Sequence, residues 1–364
     1  MLAAALTREN LQRAWKRVKA NKGSAGVDGL DMTQTAEYLK TAWPTIRDQR
    51  LRGTYRPSPV RRVAIPKPDG GERELGIPTV TDRLIQQALL QVLQPLLDPT
   101  FSEHSYGFRP GRSVHGAVLA ARAHVQQGRR IVVDVDLEEF FDRVNHDILI
   151  DRLNRRIGDA GITRLVRADL NSGIMDGGIS RQRDQGTPQG GPLSPLLANL
   201  LLDEVDKELE RRGHCFVRYA DDANVYVRSR QAGQRVMRLL RKLYAKLRVT
   251  VNETKSAVAS VFGRKFLGFS FWVSPGGRVR CAVAVRQNDV LGTAGIGSAS
   301  DGGPSDRGQL PPLVAKQRQA VELGAHHRLL RSPPPSSALM TSTSRTARCG
   351  PAYRVVWQGN RQLS

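Results

Sequence analysis

The sequence predicts an α+β fold in which an antiparallel sheet is backed on one face by helices. Three observations carry that expectation. Short β-branched runs at Ile131–Val135, 216–219 and 223–227 alternate with longer stretches whose apolar residues recur at helical spacing. From residue 131 to 273 the order reads strand, helix, strand-turn-strand, helix, strand, and a tight strand-turn-strand unit pairs antiparallel. The 364 residues, 40% of them hydrophobic, suffice for two or three domains with a substantial core.

The elements follow in order. Residues 9 to about 49 read as helical, with Leu11, Ala14, Trp15 and Val18 on one face, and "NKGSAGVDG" supplies a Gly/Asp turn. Extended pieces at 60–66 and 73–77, joined by "PDGG", form a hairpin bearing Arg61, Arg62, Lys67 and Arg73. The run "DRLIQQALLQVLQPLL" is an apolar helix closed by Asp98-Pro99, and "SYGFRPGRSVHGAVLAARAHV" is a Gly/Arg loop entering another helix. Next, "RRIVVDVDLEEFFDRVNHDIL" starts as a strand and turns helical near Asp136. A Gly/Pro loop, "GTPQGGP", opens a long amphipathic helix over 194–212. Beyond the hairpin, Val236, Leu239, Leu240, Leu243 and Leu247 form the buried stripe of a further helix. "VTVN" and "FLGFSFWV" are expected as two short strands. From Cys281 onward 84 residues contain only Tyr353 and Trp357 as aromatics, amid Gly, Pro and Ser, so this tail is expected to be mostly disordered.

Charge narrows the partners. Lys and Arg number 56 against 34 Asp and Glu, a formal net charge of +22, which suits a polyanion such as nucleic acid. No apolar run approaches the length of a membrane span, and the opening "MLAAALTREN" is too short and too soon charged for a leader. Cytoplasmic residence without membrane contact is the expectation. Cys215, Cys281 and Cys349 are odd in number and lack metal spacing, which supports neither a disulfide framework nor a zinc site.

The stretch "HCFVRYADDANVYV" sets Asp221 beside Asp222 between two strand-like runs. Taken alone, an Asp pair at a hairpin is more often a simple turn. A divalent cation is the sharper explanation, because adjacent carboxylates stay ionised when a hard cation absorbs their charge. Asp136, at the end of an earlier strand of the same sheet, can join them, although it also stands where a helix N-cap would stand. Asp134 shares its strand face. Carboxylates holding two cations serve the displacement of pyrophosphate from a nucleoside triphosphate, with basic groups such as Lys67 and Arg83 for the phosphates.

Eight motifs in order, from "NKGSAGVDG" through "VAIPKPDGGERELGIPTVTDRLIQQALLQVL", "SYGFRPGRSVH", "VVDVDLEEFFDRVNHD", "GTPQGGPLSPLLANLLLDEVD", "RYADDANVYV" and "VNETKSAV" to "FLGFSF", cover roughly residues 8 to 275. Together they resemble the bacterial group II intron-encoded reverse transcriptase/maturase family. The resemblance implies a right-hand polymerase with an N-terminal helical extension at 1–54, fingers at 55–130 and a palm at 131–277. It implies RNA-directed DNA synthesis with two Mg2+ ions, an intron RNA template, a DNA primer or target, deoxynucleoside triphosphates and a role in RNA splicing. By position, Asp136, Asp221 and Asp222 match the metal-binding aspartates, with Asp221 expected as the more central of the adjacent pair. Lys67 and Arg83 match triphosphate ligands, Phe141 the aromatic that excludes a ribose 2′-hydroxyl, and Gln189 a contact to nucleotide or duplex. Lys255 matches a lysine that protonates pyrophosphate, and Phe266, Leu267, Gly268 and Phe269 match the primer-gripping segment. The helical thumb and maturase region of the family finds no counterpart in residues 278–364, which resemble a chain read out of frame. A non-catalytic RNA-binding splicing cofactor and a retron or defence-type reverse transcriptase are the alternatives.

Overall fold

The computed structural model of the protein describes residues 1–66 and 72–283. Helices α1 (Leu2–Ala5), α2 (Arg8–Ala20) and α3 (Met32–Arg52) form the amino-terminal part. Thr7 caps α2 by accepting from Asn10 N, and Asp31 with Gln34 forms a reciprocal capping box on α3, so "NKGSAGVDG" separates two helices. Then come β1 (Val60–Pro66), β2 (Glu72–Ile77), α4 (Val80–Leu97), α5 (Val114–Gln126) and β3 (Ile131–Val135). The middle of the chain holds α6 (Phe140–Arg143), α7 (His146–Ile157), α8 (Ala160–Leu170), β4 (Ile174–Asp176), β5 (Ile179–Arg181) and α9 (Ser194–Arg211). The hairpin β6 (Cys215–Tyr219) and β7 (Asp222–Val227) precedes α10 (Arg230–Lys246), β8 (Ala257–Ser260), β9 (Lys265–Phe266), β10 (Phe269–Val273) and β11 (Val279–Val283).

The central sheet has the order β6-β7-β3-β8 and every pair in it is antiparallel. Side-chain alternation splits its residues between two cores. Val133, Val135 and Val225 join α9 and α10 in the larger one, while Val132, Val217 and Tyr226 join α5 and the β9–β11 sheet in the smaller. Thus the sheet is covered by helices on one face as expected, but its other face is partly covered too. A second sheet, β2-β1-β4-β5, contains one parallel pair, β1 with β4.

Several sequence expectations change. Helix does not resume at Asp136 but at Phe140, so Asp136 is not an N-cap. "VTVN" contributes only an isolated bridge between Val251 and Leu137, because Asn252 Oδ1 accepts from the Thr254 and Lys255 amides and turns the chain. The edge strand is β8 instead. "FLGFSFWV" is not one strand: Leu267 (φ 51°) and Gly268 (φ 79°) form a two-residue turn between β9 and β10. The strand β11 runs into the segment expected to be disordered; the remainder of that tail, from 284, lies outside the described residues.

One buried ion pair fastens the hairpin to its surroundings. Arg218 and Asp206 side chains are each 1% exposed, and Arg218 Nε and Nη2 donate to the Asp206 carboxylate at 2.6–3.0 Å. Arg218 Nη1 also donates to Asn199 Oδ1 at 2.9 Å and to Ala220 O at 2.8 Å, and Nη2 donates to Ser105 Oγ at 2.8 Å. A guanidinium is suited to this because its planar donors satisfy several fixed acceptors at once. Arg218→Met strands the Asp206 carboxylate in the core, and urea unfolding should show a loss of about 3–5 kcal/mol. The Arg218→Met/Asp206→Leu pair should recover most of it; a single variant within about 1 kcal/mol of wild type would contradict this role.

A second buried cluster joins α3, α4 and α8. Arg50 donates to Asp82 Oδ1 at 3.1 Å and stacks on Tyr55, its guanidinium carbon 3.4 Å from the ring centroid. Asp169 lies fully buried nearby, and neither of its oxygens has a hydrogen-bond partner among the described residues. Burial, reinforced by Asp82 and opposed by Arg50, pushes its carboxyl up from 3.8 to about 7. Such a group keeps its proton in the fold where the unfolded chain has lost it, so stability falls as pH rises through that interval. Urea melts across a pH series should show wild type losing stability relative to Asp169→Asn between about pH 4 and 7, with no further divergence above; a pH-independent difference would overturn the assignment.

Candidate active site

Register determines which carboxylates meet. β3 and β7 pair with Asp134 opposite Asn224 and Val135 opposite Ala223. Extending that register by one residue sets Asp136 opposite Asp222, at the end where the hairpin turns. By alternation, Asp134 and Asp136 share a face with Asp222, Asn224 and Tyr226. Ala220 and Asp221 form the two-residue turn itself, between the paired Tyr219 and Asp222. Ala220 adopts φ 57°, a left-handed conformation that costs a residue with a Cβ roughly 1–2 kcal/mol. The turn is held from two sides. Arg218 binds the Ala220 carbonyl, and Gly107 packs so closely that a Cβ there would lie 2.2 Å from Ala220 N. The glycine of "SYGF" is therefore required by this contact.

Asp134, Asp136 and Asp222 line one cavity of about 230 Å³, faced by Lys255, Arg264, Lys265, Phe266 and Leu267. Asp222 is open to the cavity yet crowded by protein. Burial, then the like charges of Asp221, Asp136 and Asp134, push its carboxyl up to about 7. Solvent in the cavity mouth tempers the burial effect, while the three neighbouring carboxylates keep the direction upward. Asp134 is raised by burial and drawn back by Arg264, whose Nε donates to it at 2.8 Å while Nη2 donates to Lys255 O at 2.7 Å. The Asn224 amide, with its nitrogen toward Asp134, donates to Oδ1 at 2.9 Å. Asp136 is fixed through its backbone: its N donates to Ser256 Oγ at 3.0 Å, and its carbonyl accepts from Asn252 N at 2.9 Å.

The donor set suits a hard divalent cation. It consists of carboxylate oxygens, and the like charges that add to burial in raising Asp222 are a repulsion that a cation would relieve. Among the described residues no three such groups converge into a complete cation site. Mg2+ does not require one, since it keeps waters and takes one or two carboxylates together with substrate phosphates. The residues present therefore fit the group.

The other predicted residues divide. Lys255, Phe266 and Leu267 stand at the cavity, Gly268 completes the turn, and the Phe269 ring packs 5.8 Å from His115. Of the hairpin pair it is Asp222 that lines the cavity, because alternation along β7 gives Asp222 the face of Asp134. Phe141 is half-buried, edge-on to Phe108 at 6.4 Å, and the fully buried neighbour Phe140 is the core aromatic. Gln189 Nε2 donates to Asp142 Oδ2 at 2.8 Å, which docks its loop beside Phe141. The glycine after it approaches protein: Gly190 (φ 133°) lies where a Cβ would be 2.9 Å from Gly76 O. Arg83 is only 9% exposed and donates to Ser24 O at 2.7 Å, and Lys67 lies outside the described residues. Sequence reasoning missed Arg218, Arg264 and Asn224. Only Arg218 carried a signal, a cation embedded in an apolar strand.

The same stretch of chain is similar to known proteins. Residues 65–271 match the model of the family described as reverse transcriptase (RNA-dependent DNA polymerase). The protein YkfC of Escherichia coli is 39% identical over 210 residues, 56% of this chain and 55% of that protein. The group II intron-encoded protein LtrA of Lactococcus lactis is 38% identical over 198 residues, 53% of this chain and 32% of LtrA. The chain thus spans about half of the first relative and a third of the second. Among solved structures, a Cas6-RT-Cas1-Cas2 complex is 27% identical with a TM-score of 0.43, covering 68% of this chain and 42% of that one. Telomerase from Candida albicans is 14% identical with a TM-score of 0.47, covering 66% and 48%. The family match spans more than half of the chain and takes in β3, the β6–β7 hairpin and every carboxylate of the cavity; this chain belongs to the reverse transcriptase family.

Proposed function

We propose that the protein is the RNA-directed DNA polymerase of a group II intron, extending a DNA 3′ end on intron RNA with deoxynucleoside triphosphates, and that it works in the cytoplasm. The carrying observation is the acidic cavity at the hairpin end of the central sheet, inside a molecule of net charge +22. Reverse transcriptases depend on divalent metal in general, and among the described residues no helix is long and apolar enough to cross a membrane. In this reading residues 55–130 act as fingers and 131–277 as palm.

Asp136 and Asp222, with Asp221 at the turn, would hold two Mg2+ ions. When bound, the ions supply charge neutralisation for the attacking 3′-hydroxyl and the leaving pyrophosphate. The chain's own part is positioning. Arg218 holds the turn, Ser256 and Asn252 hold Asp136, and Arg264 neutralises Asp134 and ties the segment before Phe266 to β3. Lys255, at the cavity wall, would give a proton to pyrophosphate. Phe266 and Leu267 close the wall where a primer end would lie. Phe141 would exclude ribonucleotides by crowding a 2′-hydroxyl. Relatives named for group II introns and their maturases support the choice of template and a role in splicing.

Primer extension on an RNA template with Mg2+ tests this reading. Asp136→Asn, Asp221→Asn and Asp222→Asn should each lower extension at least about a hundredfold, since each removes a hard ligand. Asp134→Asn, whose native partner is Arg264, should cost less than about tenfold. No extension by wild type, with RNA binding intact, would leave only a non-catalytic splicing cofactor. Phe141→Ala should raise ribonucleotide incorporation relative to deoxynucleotide in the same assay; an unchanged ratio removes Phe141 from that role.

A further inference from the structure

We infer that the solvent face of α10 is a second nucleic-acid surface, which holds structured RNA by its phosphates on the side of the central sheet away from the carboxylates. The helix reads "RQAGQRVMRLLRKLYAK": six basic residues and no acid. Arg241 is taken by Glu253 at 2.7 Å. Arg235, Arg238, Lys242 and Lys246 are exposed and have no carboxylate partner among the described residues. Spaced three, four and four apart, they form one line on the helix, with about 5–6 Å between successive positions. Like charges at these spacings repel, and Arg230 stands at the end of the helix that disfavours cations.

Helices α9 and α3 pair their exposed cations instead. On α9, Lys207 pairs with Glu210 at 3.1 Å, and Arg211 and Arg212 pair with Glu208 at 2.7 and 2.6 Å. On α3, Lys40 pairs with Glu37 and Arg52 with Asp48. Exposed cations without a carboxylate partner among the described residues also stand on α2, at Arg8, Arg13, Lys16, Arg17 and Lys19, but with Glu9 beside them; α10 carries no acid at all, and a phosphodiester backbone is the partner whose charge density matches its line.

Position separates this surface from the cavity. The buried stripe of α10, Val236, Met237, Leu240 and Tyr244, shares a core with Val133, Val135 and Val225, whereas the carboxylates project from the opposite face of the same strands. A template–primer seated at Asp136 and Asp222 cannot at once lie along Arg235 and Lys246. The RNA on α10 is accordingly a distal part of the molecule being copied, and only that identification rests on the polymerase reading.

The test compares the full chain with Arg235→Gln/Arg238→Gln/Lys242→Gln/Lys246→Gln. A control, Lys40→Gln/Arg52→Gln/Arg211→Gln/Arg212→Gln, removes the same number of charges from paired sites. Binding of a long structured RNA, a short RNA–DNA template–primer and a duplex DNA is measured against salt. For structured RNA the slope of log K on log salt should become shallower by about 3–4 in the α10 variant and by less than about 1 in the control, with unchanged circular dichroism. The short template–primer should show a change below about 1 in both. A change on structured RNA no larger than the control, an equal change on the short template–primer, or an equal change on duplex DNA would each overturn the inference. Wild type that extends no primer but shows the expected slope change fails the polymerase reading alone; normal extension with an unchanged slope fails this surface alone.

Discussion

The turn that carries the adjacent aspartates is held by a single guanidinium. Arg218 is inside the core, and its donors are divided among Asp206 on α9, Asn199 on the same helix, Ser105 in the preceding loop and the carbonyl of Ala220 in the turn. The loop is also bound to the strand by its backbone, His104 O accepting from Arg218 N and Arg218 O accepting from Tyr106 N. A two-residue turn with Ala220 at positive φ has little intrinsic preference for its shape. Surroundings that leave it no alternative are what preserve it. The same contacts set where Asp222 begins its strand, and through the ladder, where it stands relative to Asp136.

From that constraint the electrostatics follow. Three or four carboxylates are brought together in a chain that is otherwise strongly positive, so the acidic cavity is a local inversion of the protein's field. Arg264, Lys255 and Lys265 surround it. Arg264 is committed to Asp134, which gives that acid of β3 a protein cation of its own. That pairing explains why Asp134 and Asp136, two residues apart on one face, need not have the same role.

Much of this was legible in the sequence. Strand β3, helix α9 and the hairpin were marked by β-branched runs, helical apolar spacing and the Asp pair, and their observed bounds lie within a residue or so of those expected. The aspartates were legible as a group because strand alternation alone places Asp134 and Asp136 on one face. The face of each member of the pair was not, since which of Asp221 and Asp222 shares the face of Asp134 depends on whether the turn takes up residue 220 alone or also 221, a matter of register. The burial of Arg83 was hidden for a related reason. A cation in a motif looks exposed, and only packing shows it lying beneath the "NKGSAG" loop with Ser24 as its acceptor. The turn within "FLGF" was hidden because Leu267 takes a left-handed conformation that its type does not advertise.

The central sheet thus separates two kinds of work by the parity of its strands. Residues of one parity in β3 and β7 supply carboxylates, Asn224 and Tyr226; those of the other parity supply valines that bind α9 and α10. An antiparallel sheet permits this because neighbouring residues never compete for the same side. The arrangement also isolates charge. Valines and the apolar stripe of α10 stand between the acidic cavity and the basic outer face of that helix, so the two sets of charges are kept from pairing directly across the sheet. The cations of α10 thus remain available to a partner other than the cavity's acids.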